Sequence, residues 1–171
     1  MRILGLDPSL RSTGYGLIDC RDQGYSSIEY GTIKPPAKLV FYKKINIIRV
    51  RIEELIRLHK PDEVAIENPF FAHNVKTALT LGQVRGAVLV AVASLDVPLF
   101  EYSALEIKKA VTSYGQADKS QVNFMVRTLL NLGDVELPLD ASDALATAIC
   151  HSHSQIFNQK LHITPSEGKG E

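Results

Sequence analysis

The sequence predicts an α/β fold, with a mixed five-stranded sheet and helices on both of its faces. Three short apolar runs open the chain at hairpin-like intervals, which predicts three antiparallel strands. Two further short apolar runs each follow a helical pattern, and helix connections place such strands in the same sheet. Three more helical segments complete the 171 residues, a length typical of one domain with a full core.

Glycine and polar clusters separate the first three strands, which we expect at residues 2–7, 14–20 and 26–34. A helix over about residues 38–59 follows, because apolar residues recur there at mostly helical spacing until Pro61 stops the pattern. Residues 63–67 then predict a short buried strand, and residues 75–95 a long helix. The first strand should lie centrally in the sheet, beside the fourth.

Residues 99–102 predict the fifth strand. Ser103 and Glu106 match a capping box that starts a helix to about residue 113. Asp118 and Gln121 make a similar start for a helix that runs through residue 132.

The last helix should open at Pro138 and Asp140 and end near residue 153. We expect one domain over residues 1–154. Residues 155–171 contain Pro165 and two late glycines, and are expected to form a flexible tail.

The composition, with 45% hydrophobic and 22% charged residues, is that of a globular protein rather than a disordered or fibrous one. Cys20 and Cys150 lack metal-site spacing and adjoin apolar stretches, which favours buried thiols in a reducing compartment. Met1 leads almost directly into the first strand, and no apolar run reaches ~18 residues without a charge. We therefore expect a cytoplasmic protein without a membrane span.

Charge is unevenly distributed along a chain whose formal net charge is zero. Residues 34–60 hold eight Lys or Arg side chains and two Glu, whereas residues 134–143 hold four acids and no base. A neutral total can therefore hide a basic surface around an acidic pocket. A solvated helix face explains the basic stretch equally well.

Four carboxylates stand where a metal-dependent nuclease would need them. Asp7 and Glu67 each end an apolar strand pattern, and Asp140 and Asp143 share a helix face at a spacing of three. Carboxylates rarely belong in such places unless they are paired or hold a metal. Three of them also have a structural explanation: Asp7 as a turn residue, Glu67 as a surface acid, and Asp140 as a helix cap. Asp143 is harder to explain in this way, because apolar residues for packing follow it.

The predicted sheet brings these four acids toward one edge, because Asp7 and Glu67 would end adjacent strands. Clustered carboxylates repel one another unless cations compensate them. Hard oxygen ligands select Mg²⁺ or Mn²⁺ over zinc, and a pair of such ions is suited to phosphodiester cleavage.

Aromatic and basic residues near these acids suggest a nucleic-acid substrate. Phe70 and Phe71 follow Glu67; a Phe pair is usually core, but an exposed ring here could stack on bases. Lys119 falls in the first turn of its helix, where the dipole disfavours a cation, so a phosphate partner would explain it. Lys108 is a similar candidate, although many surface lysines have no function.

Small residues recur every four positions in the long helix, at Ala78, Gly82 and Gly86. Each glycine costs ~1 kcal/mol relative to alanine in a helix, so close packing should offset them. The partner is either the sheet of the same chain or the same helix of a second subunit, and we favour the second.

Six blocks in order over residues 1–154 resemble the RuvC family of bacterial Holliday-junction endonucleases. Any one block is weak, but six in family order are specific. They are GLDPSLRSTGYGLI, VAIENPFFAHN, LGQVRGAVLVAV, EIKKAV, ADKSQVNFMVRTLL and DASDALATAICH.

The resemblance implies a ribonuclease H-like fold, a homodimer packed through the long helix, and a partnership with the RuvA–RuvB branch-migration complex. It implies that two Mg²⁺ ions per site, replaceable by Mn²⁺, act with four acids to nick two junction strands of like polarity. Those catalytic and metal-binding acids would be Asp7, Glu67, Asp140 and Asp143. The expected DNA-binding residues are Phe70, Phe71, Lys108, Lys119, Arg11 and Lys76.

The sequence departs from the family pattern in the first loop, where Ser9 replaces a usual glycine. A positive φ there would strain a serine. Two alternatives stay open: a related ribonuclease H-like nuclease that processes RNA, and a junction-binding module without catalysis.

Overall fold

The fold is an α/β sandwich of one sheet between two helical layers, given by a computed structural model. The structure describes residues 1–21, 24–68 and 74–163. Its elements follow the expected order. They are β1 (Arg2–Asp7), β2 (Thr13–Arg21), β3 (Gly24–Ile33), α1 (Phe41–His59), β4 (Glu63–Asn68), α2 (Val75–Ala93), β5 (Leu99–Ser103), α3 (Ala104–Thr112), α4 (Lys119–Leu129) and α5 (Leu139–Ile163).

The five strands form one mixed sheet in the order β3-β2-β1-β4-β5. β1 lies centrally, antiparallel to β2 and parallel to β4, and β4 is parallel to β5. The register pairs Leu6 with Ile66, so Asp7 and Glu67 come next at the same edge. The predicted fold class and the central place of β1 are confirmed.

Strand alternation divides the buried residues into two cores. On one face, Ile3 and Ala65 pack in a cluster with residues of α3, α4 and α5. On the other face, Leu4 and Ile66 pack in a cluster with residues of α1 and α2. Residues 3, 5 and 7 of β1 thus share one face of the strand, which faces α5.

Both predicted capping boxes are present. The Ser103 hydroxyl accepts from the backbone N–H of Glu106, and the Asp118 carboxylate accepts from that of Gln121. In each case the third residue returns a bond to the cap, so two exposed backbone donors are satisfied at each helix start.

The last helix differs from the prediction at both ends. It begins at Leu139, so Asp140 lies inside its first turn and is not its cap. It ends at Ile163, about ten residues later than expected. The reason lies in the sequence, because neither proline nor glycine occurs between His153 and Pro165.

Two glycines let the start of α5 lie directly on the sheet. A Cβ at Gly14 would stand 1.9 Å from the carbonyl oxygen of Asp140, and one at Gly5 would stand 2.0 Å from that of Ala144. Only a residue without a side chain permits this approach. The backbone of α5 is thus held against β1 and β2, where Asp140 and Asp143 project beside Asp7.

α2 packs by one side only. Its buried residues are Val84, Val88, Ala91 and Val92. Apart from the adjoining backbone of α2 itself, no described atom lies within 4 Å of where a Cβ would stand at Gly82 or Gly86. The stripe of small residues therefore does not face the sheet of its own chain, and that alternative is wrong.

In the part of the chain that the structure describes, α2 is also the one helix long and apolar enough to cross a membrane, by length and composition. Its inner side belongs to the core, and Arg85 forms an ion pair with Glu101 on β5. This packing is that of a core helix with one open face.

A buried polar network joins α5 to β4 and β5. His151 is fully buried, and its Nδ1 lies 2.6 Å from the Tyr102 hydroxyl. Its Nε2 lies 2.5 Å from Glu63 Oε2. Both ring nitrogens therefore have partners, which is what a buried histidine requires.

Candidate active site

Three carboxylates, those of Asp7, Glu67 and Asp143, line one cleft at the edge of the sheet, and a fourth, Asp140, lies near enough for its charge to act on Asp7. Asp7 is the last residue of β1, and Glu67 is the next-to-last residue of β4. Strand alternation places residue 67 on the same face as Ala65, which packs toward α5. Asp140 and Asp143 come from the first turns of α5, seated on the same face by the glycines. The structure thus brings together all four acids that the sequence singled out.

The acids interact electrostatically, most strongly at Asp7. Burial, followed by the charges of Glu67, Asp143 and Asp140, raises the pKa of the Asp7 carboxyl from 3.8 to about 7. Burial, followed by the charge of Asp143, also raises the pKa of Glu67. The ionised forms of Asp7 and Glu67 are thus disfavoured, because both carboxyls are partly removed from water and have negatively charged neighbours.

Lys119 partly offsets this negative charge. Its Nζ donates a hydrogen bond of 3.1 Å to Asp143 Oδ2, which raises the pKa of the lysine. The sequence predicted a phosphate partner for Lys119, because the first turn of a helix disfavours a cation. The bond to Asp143 explains this position of Lys119 within the protein itself. The ammonium group of Lys119 therefore supplies the positive charge beside the Asp143 carboxylate.

The cleft has room for a substrate group. One lobe, of about 290 Å³, is lined by Asp7, Glu67, Asp143, Lys108 and Lys119, together with apolar residues of α3 and α4. A second lobe, of about 110 Å³, also reaches Asp7 and Glu67 and is bounded by residues of α2. Each lobe is large enough for several water-sized ligands. The two carboxylates stand where the lobes meet.

The donor chemistry fits a hard divalent cation. Every candidate ligand is a carboxylate oxygen, which suits Mg²⁺ or Mn²⁺. The crowding that makes ionisation of Asp7 costly is what a bound cation would relieve. Among the described Asp, Glu, His and Cys residues, no three already converge as a complete ligand group. A bound ion would therefore have to draw the carboxylates closer together.

Two of the other expected DNA-binding residues, Arg11 and Lys76, lie outside this cleft. Phe70 and Phe71 fall outside the described residues. Arg11 is exposed between β1 and β2, and Lys76 is exposed in the first turn of α2. Of the four expected bases, Lys108 and Lys119 are the two that line the acid cleft.

Ser9 is not strained, because its φ is not positive. Its carbonyl oxygen accepts a 2.6 Å hydrogen bond from the Thr13 hydroxyl, and its N–H donates a 3.2 Å hydrogen bond to Thr13 Oγ1. The Thr13 side chain thereby bridges the two sides of the loop that follows Asp7.

The basic stretch around α1 lies on the sheet face opposite to α5. Arg49 pairs with Glu53, and Arg51 pairs with Glu54, within the helix. A solvated helix face is therefore the better interpretation of this stretch.

Arg85 borders the cleft, and sequence reasoning missed it. It lines the smaller lobe and donates a 2.7 Å hydrogen bond to the carbonyl oxygen of Glu67. A signal existed in the sequence, since Arg85 is the only charged residue between Lys76 and Asp96. A lone charge in an apolar helix requires a partner.

Comparisons with known proteins agree on one family. Residues 3–151 match the family model of crossover junction endodeoxyribonuclease RuvC. The RuvC of Halothermothrix orenii is 44% identical over 160 residues, which cover 94% of this chain and 97% of that protein. The RuvC of Syntrophomonas wolfei is 44% identical over 167 residues, which cover 98% and 97% of the two chains.

A solved structure shows the same likeness in three dimensions. The T. thermophilus RuvC in complex with Holliday junction substrate matches with a TM-score of 0.87 and 28% identity. The match covers 92% of this chain and 96% of that one.

Proposed function

We propose, since the chain belongs to the RuvC family of crossover junction endodeoxyribonucleases, that it resolves four-way DNA junctions by nicking two strands of like polarity. The fold is the ribonuclease H-like fold of this family. The observation that carries the proposal is that Asp7, Glu67 and Asp143 line one cleft, with Asp140 close to Asp7. These acids come from three separate elements, β1, β4 and α5. Glycines at residues 5 and 14 allow α5 to pack closely on the sheet.

The four carboxylates would hold divalent cations, on which nucleases of this family depend. We propose two Mg²⁺ ions per site, replaceable by Mn²⁺. When bound, such ions supply an activated water and stabilise the leaving oxygen. The protein's own part is to fix the carboxylates. Asp7 and Glu67 belong to the rigid sheet, whereas Asp140 and Asp143 depend on the seat of α5.

Basic side chains at the rim would position the DNA backbone. Lys108 and Lys119 line the cleft, so a phosphate that enters would meet both ammonium groups. Asp143 would then exchange its bond with Lys119 for the cation. We also propose that Phe70 or Phe71 contacts unpaired bases, and that Arg11 and Lys76 contact DNA outside the cleft.

The working form is proposed to be a homodimer, because two symmetrical cuts require two sites. The open face of α2 supports it: Leu79 and Val90 are 65% and 61% exposed beside the stripe of Ala78, Gly82 and Gly86. Small residues let a second helix approach closely. We further propose that the protein acts in the cytoplasm with the RuvA–RuvB complex.

Cleavage of a labelled four-way junction tests the proposal. The protein with Mg²⁺ should nick two opposite strands, leave ends that a ligase can seal, and leave linear duplex almost intact. Asp7→Asn should reduce cleavage on the order of 10²-fold or more while junction binding persists, because metal binding is lost but the DNA surface remains.

Asp134→Asn is the matched control, because its side chain is fully exposed and lies outside the cleft. This variant should cut like the unchanged protein. Normal cutting by Asp7→Asn would show that the metal assignment is wrong. Cutting of labelled RNA in preference to the junction would support an RNA-processing nuclease, and tight binding without nicking under any divalent metal would support a binding module.

A further inference from the structure

We infer that Arg85 is a positioning residue that fixes Glu67 for catalysis by holding its main chain from the face of the sheet opposite to α5. The inference rests on the proposed function, since it takes Glu67 to be part of the active site. It assigns to α2 a second role beside its packing, namely support of the acid on β4.

The guanidinium of Arg85 makes two directed contacts. One terminal nitrogen donates a 2.7 Å hydrogen bond to the carbonyl oxygen of Glu67. The other lies 2.6 Å from Glu101 Oε1. A planar guanidinium holds two such partners in a fixed relative position, which an ammonium group does not.

Burial shows that these contacts are part of the fold. The Arg85 side chain is only 15% exposed, although it is charged and comes from an otherwise apolar stretch. A buried cation is costly unless it is paired and hydrogen-bonded. Glu101 supplies the charge, and the Glu67 carbonyl supplies a further acceptor.

Glu101 also braces the next residue of β4. Its Oε2 accepts a 3.2 Å hydrogen bond from the side-chain amide of Asn68. The end of β4 is therefore held at two successive residues, by Arg85 at position 67 and by Glu101 at position 68.

The hydrogen bond from Arg85 supports Glu67 at a point where β1 no longer pairs with β4. The register between β1 and β4 runs to the pair Leu6–Ile66, one residue short of Glu67. On the other side, β5 continues to pair through Asn68. Arg85 donates to the main chain of Glu67 beyond the last pair with β1, and so limits the freedom of the carboxylate above it.

A direct contact of Arg85 with a DNA phosphate is the alternative role. The contacts argue against it, since both terminal nitrogens are engaged within the protein. An arginine that binds substrate would show as weaker junction binding when it is replaced. A positioning residue would show as slower cutting with unchanged binding.

Single-turnover cleavage of the junction by Arg85→Gln tests the inference. We expect the cleavage rate to fall about 10–100-fold, the range typical of residues that orient metal ligands. Junction binding without metal should be unchanged, and the Mg²⁺ concentration for half-maximal cleavage should rise. Arg85→Lys should recover part of the rate, because an ammonium can donate to one of the two partners well but not hold both.

Arg127→Gln is the matched control. Arg127 also donates to a backbone carbonyl, of Gly133, and pairs with an acid, Asp134, but does so away from the cleft. It should lose some thermal stability and keep its cleavage rate. A control that cuts as slowly as Arg85→Gln would overturn the inference, because loss of stability alone would then explain both.

A double variant gives the decisive comparison. If Arg85 acts through Glu67, then Arg85→Gln should cause no further loss of rate in a Glu67→Gln background. Multiplicative losses, or weaker metal-free junction binding by Arg85→Gln, would overturn the inference. Failure of the unchanged protein and of Arg127→Gln to cut any junction would instead overturn the proposed function.

Discussion

At the scale of single residues, Asp7 shows how the candidate site is made receptive to cations. Its carboxyl is partly buried at the end of a core strand and feels the charges of three other acids. In free protein near neutral pH, much of it is protonated because its pKa is about 7. Cation binding must therefore displace a proton, so metal affinity should increase with pH.

The raised pKa predicts that Asp7 destabilises the metal-free fold at high pH. The folded state keeps its proton up to about pH 7, whereas the unfolded state loses it near 3.8. Stability should therefore fall between these values and stay low above them, with an upper limit of about 4 kcal/mol. Asp7→Asn should raise the melting temperature in EDTA at pH 8 and leave it unchanged near pH 4.

Differential scanning calorimetry at the two pH values measures this effect. Asp134→Asn, whose carboxylate is exposed, should show no comparable rise at pH 8. Mg²⁺ should stabilise the unchanged protein more at pH 8 than at pH 5.5, because it binds the ionised acids. Equal melting temperatures of Asp7→Asn and the unchanged protein at pH 8 would contradict the assigned burial and crowding.

At the scale of elements, the close packing of α5 on Gly5 and Gly14 determines whether all four acids come together. A strand glycine usually weakens a sheet, but Gly5 and Gly14 here admit the backbone of a helix. That contact sets the height of α5 above β1, and with it the distance of Asp140 and Asp143 from Asp7. Part of the active-site geometry is thus determined by residues that carry no functional group.

Gly14→Ala should therefore damage both stability and cleavage. Its Cβ would stand 1.9 Å from a backbone oxygen, so the first turn of α5 must move. We expect a loss of about 1–3 kcal/mol in the free energy of unfolding, measured by urea titration, and a loss of cleavage beyond what that instability explains.

The contrasting change is Gly82→Ala, whose Cβ would meet no described atom within 4 Å other than the adjoining backbone of α2. It should stabilise the monomer slightly, because alanine favours a helix more than glycine does. Cleavage by Gly14→Ala at the normal rate would show that the height of α5 does not control the acids.

Most elements could be predicted from the sequence, because each has a local signal. Pro61 follows the end of α1, and capping boxes begin α3 and α4. The end of α5 could not be placed, since no residue between His153 and Pro165 marks a stop. The seat on Gly14 could not be foreseen either, because it depends on a partner over a hundred residues away.

The candidate site was predictable to a similar degree. Asp7, Glu67, Asp140 and Asp143 stood out because acids at the ends of apolar patterns are unusual. Arg85 did not, since its partners are a backbone carbonyl and an acid on another strand. Sequence patterns report which residues are out of place, whereas long-range pairing appears only in the folded chain.

At the scale of the whole molecule, the two faces of the sheet are specialised differently. The face covered by α5 carries the acids, and the face covered by α1 and α2 carries the open apolar stripe. Exposed Leu79 and Val90 on α2 form a hydrophobic surface that a monomer would leave in water. Dimerisation through α2 would cover it and place one acid cleft on each protomer.

Gly82→Leu should disrupt this dimer, because a bulky side chain would stand where a second helix must approach. Sedimentation should show monomers, and nicks on the two strands should become uncoupled. Thr128→Leu is the control, since it adds a similar side chain to an exposed position on α4, which packs against α3 and α5. A Gly82→Leu protein that remains dimeric would exclude this interface.

The place of α5 in the chain also has a consequence for protein synthesis. A ribosome that has not yet made residue 139 has already made Asp7 and Glu67, but neither Asp140 nor Asp143. At about 5–20 residues per second, the remaining helix is added within seconds. A nascent chain, or one that stalls before this point, therefore lacks two of the four candidate ligand acids and the part of the core on that sheet face that α5 supplies. A chain interrupted before α5 therefore lacks the complete set of acids that the proposed cleavage requires.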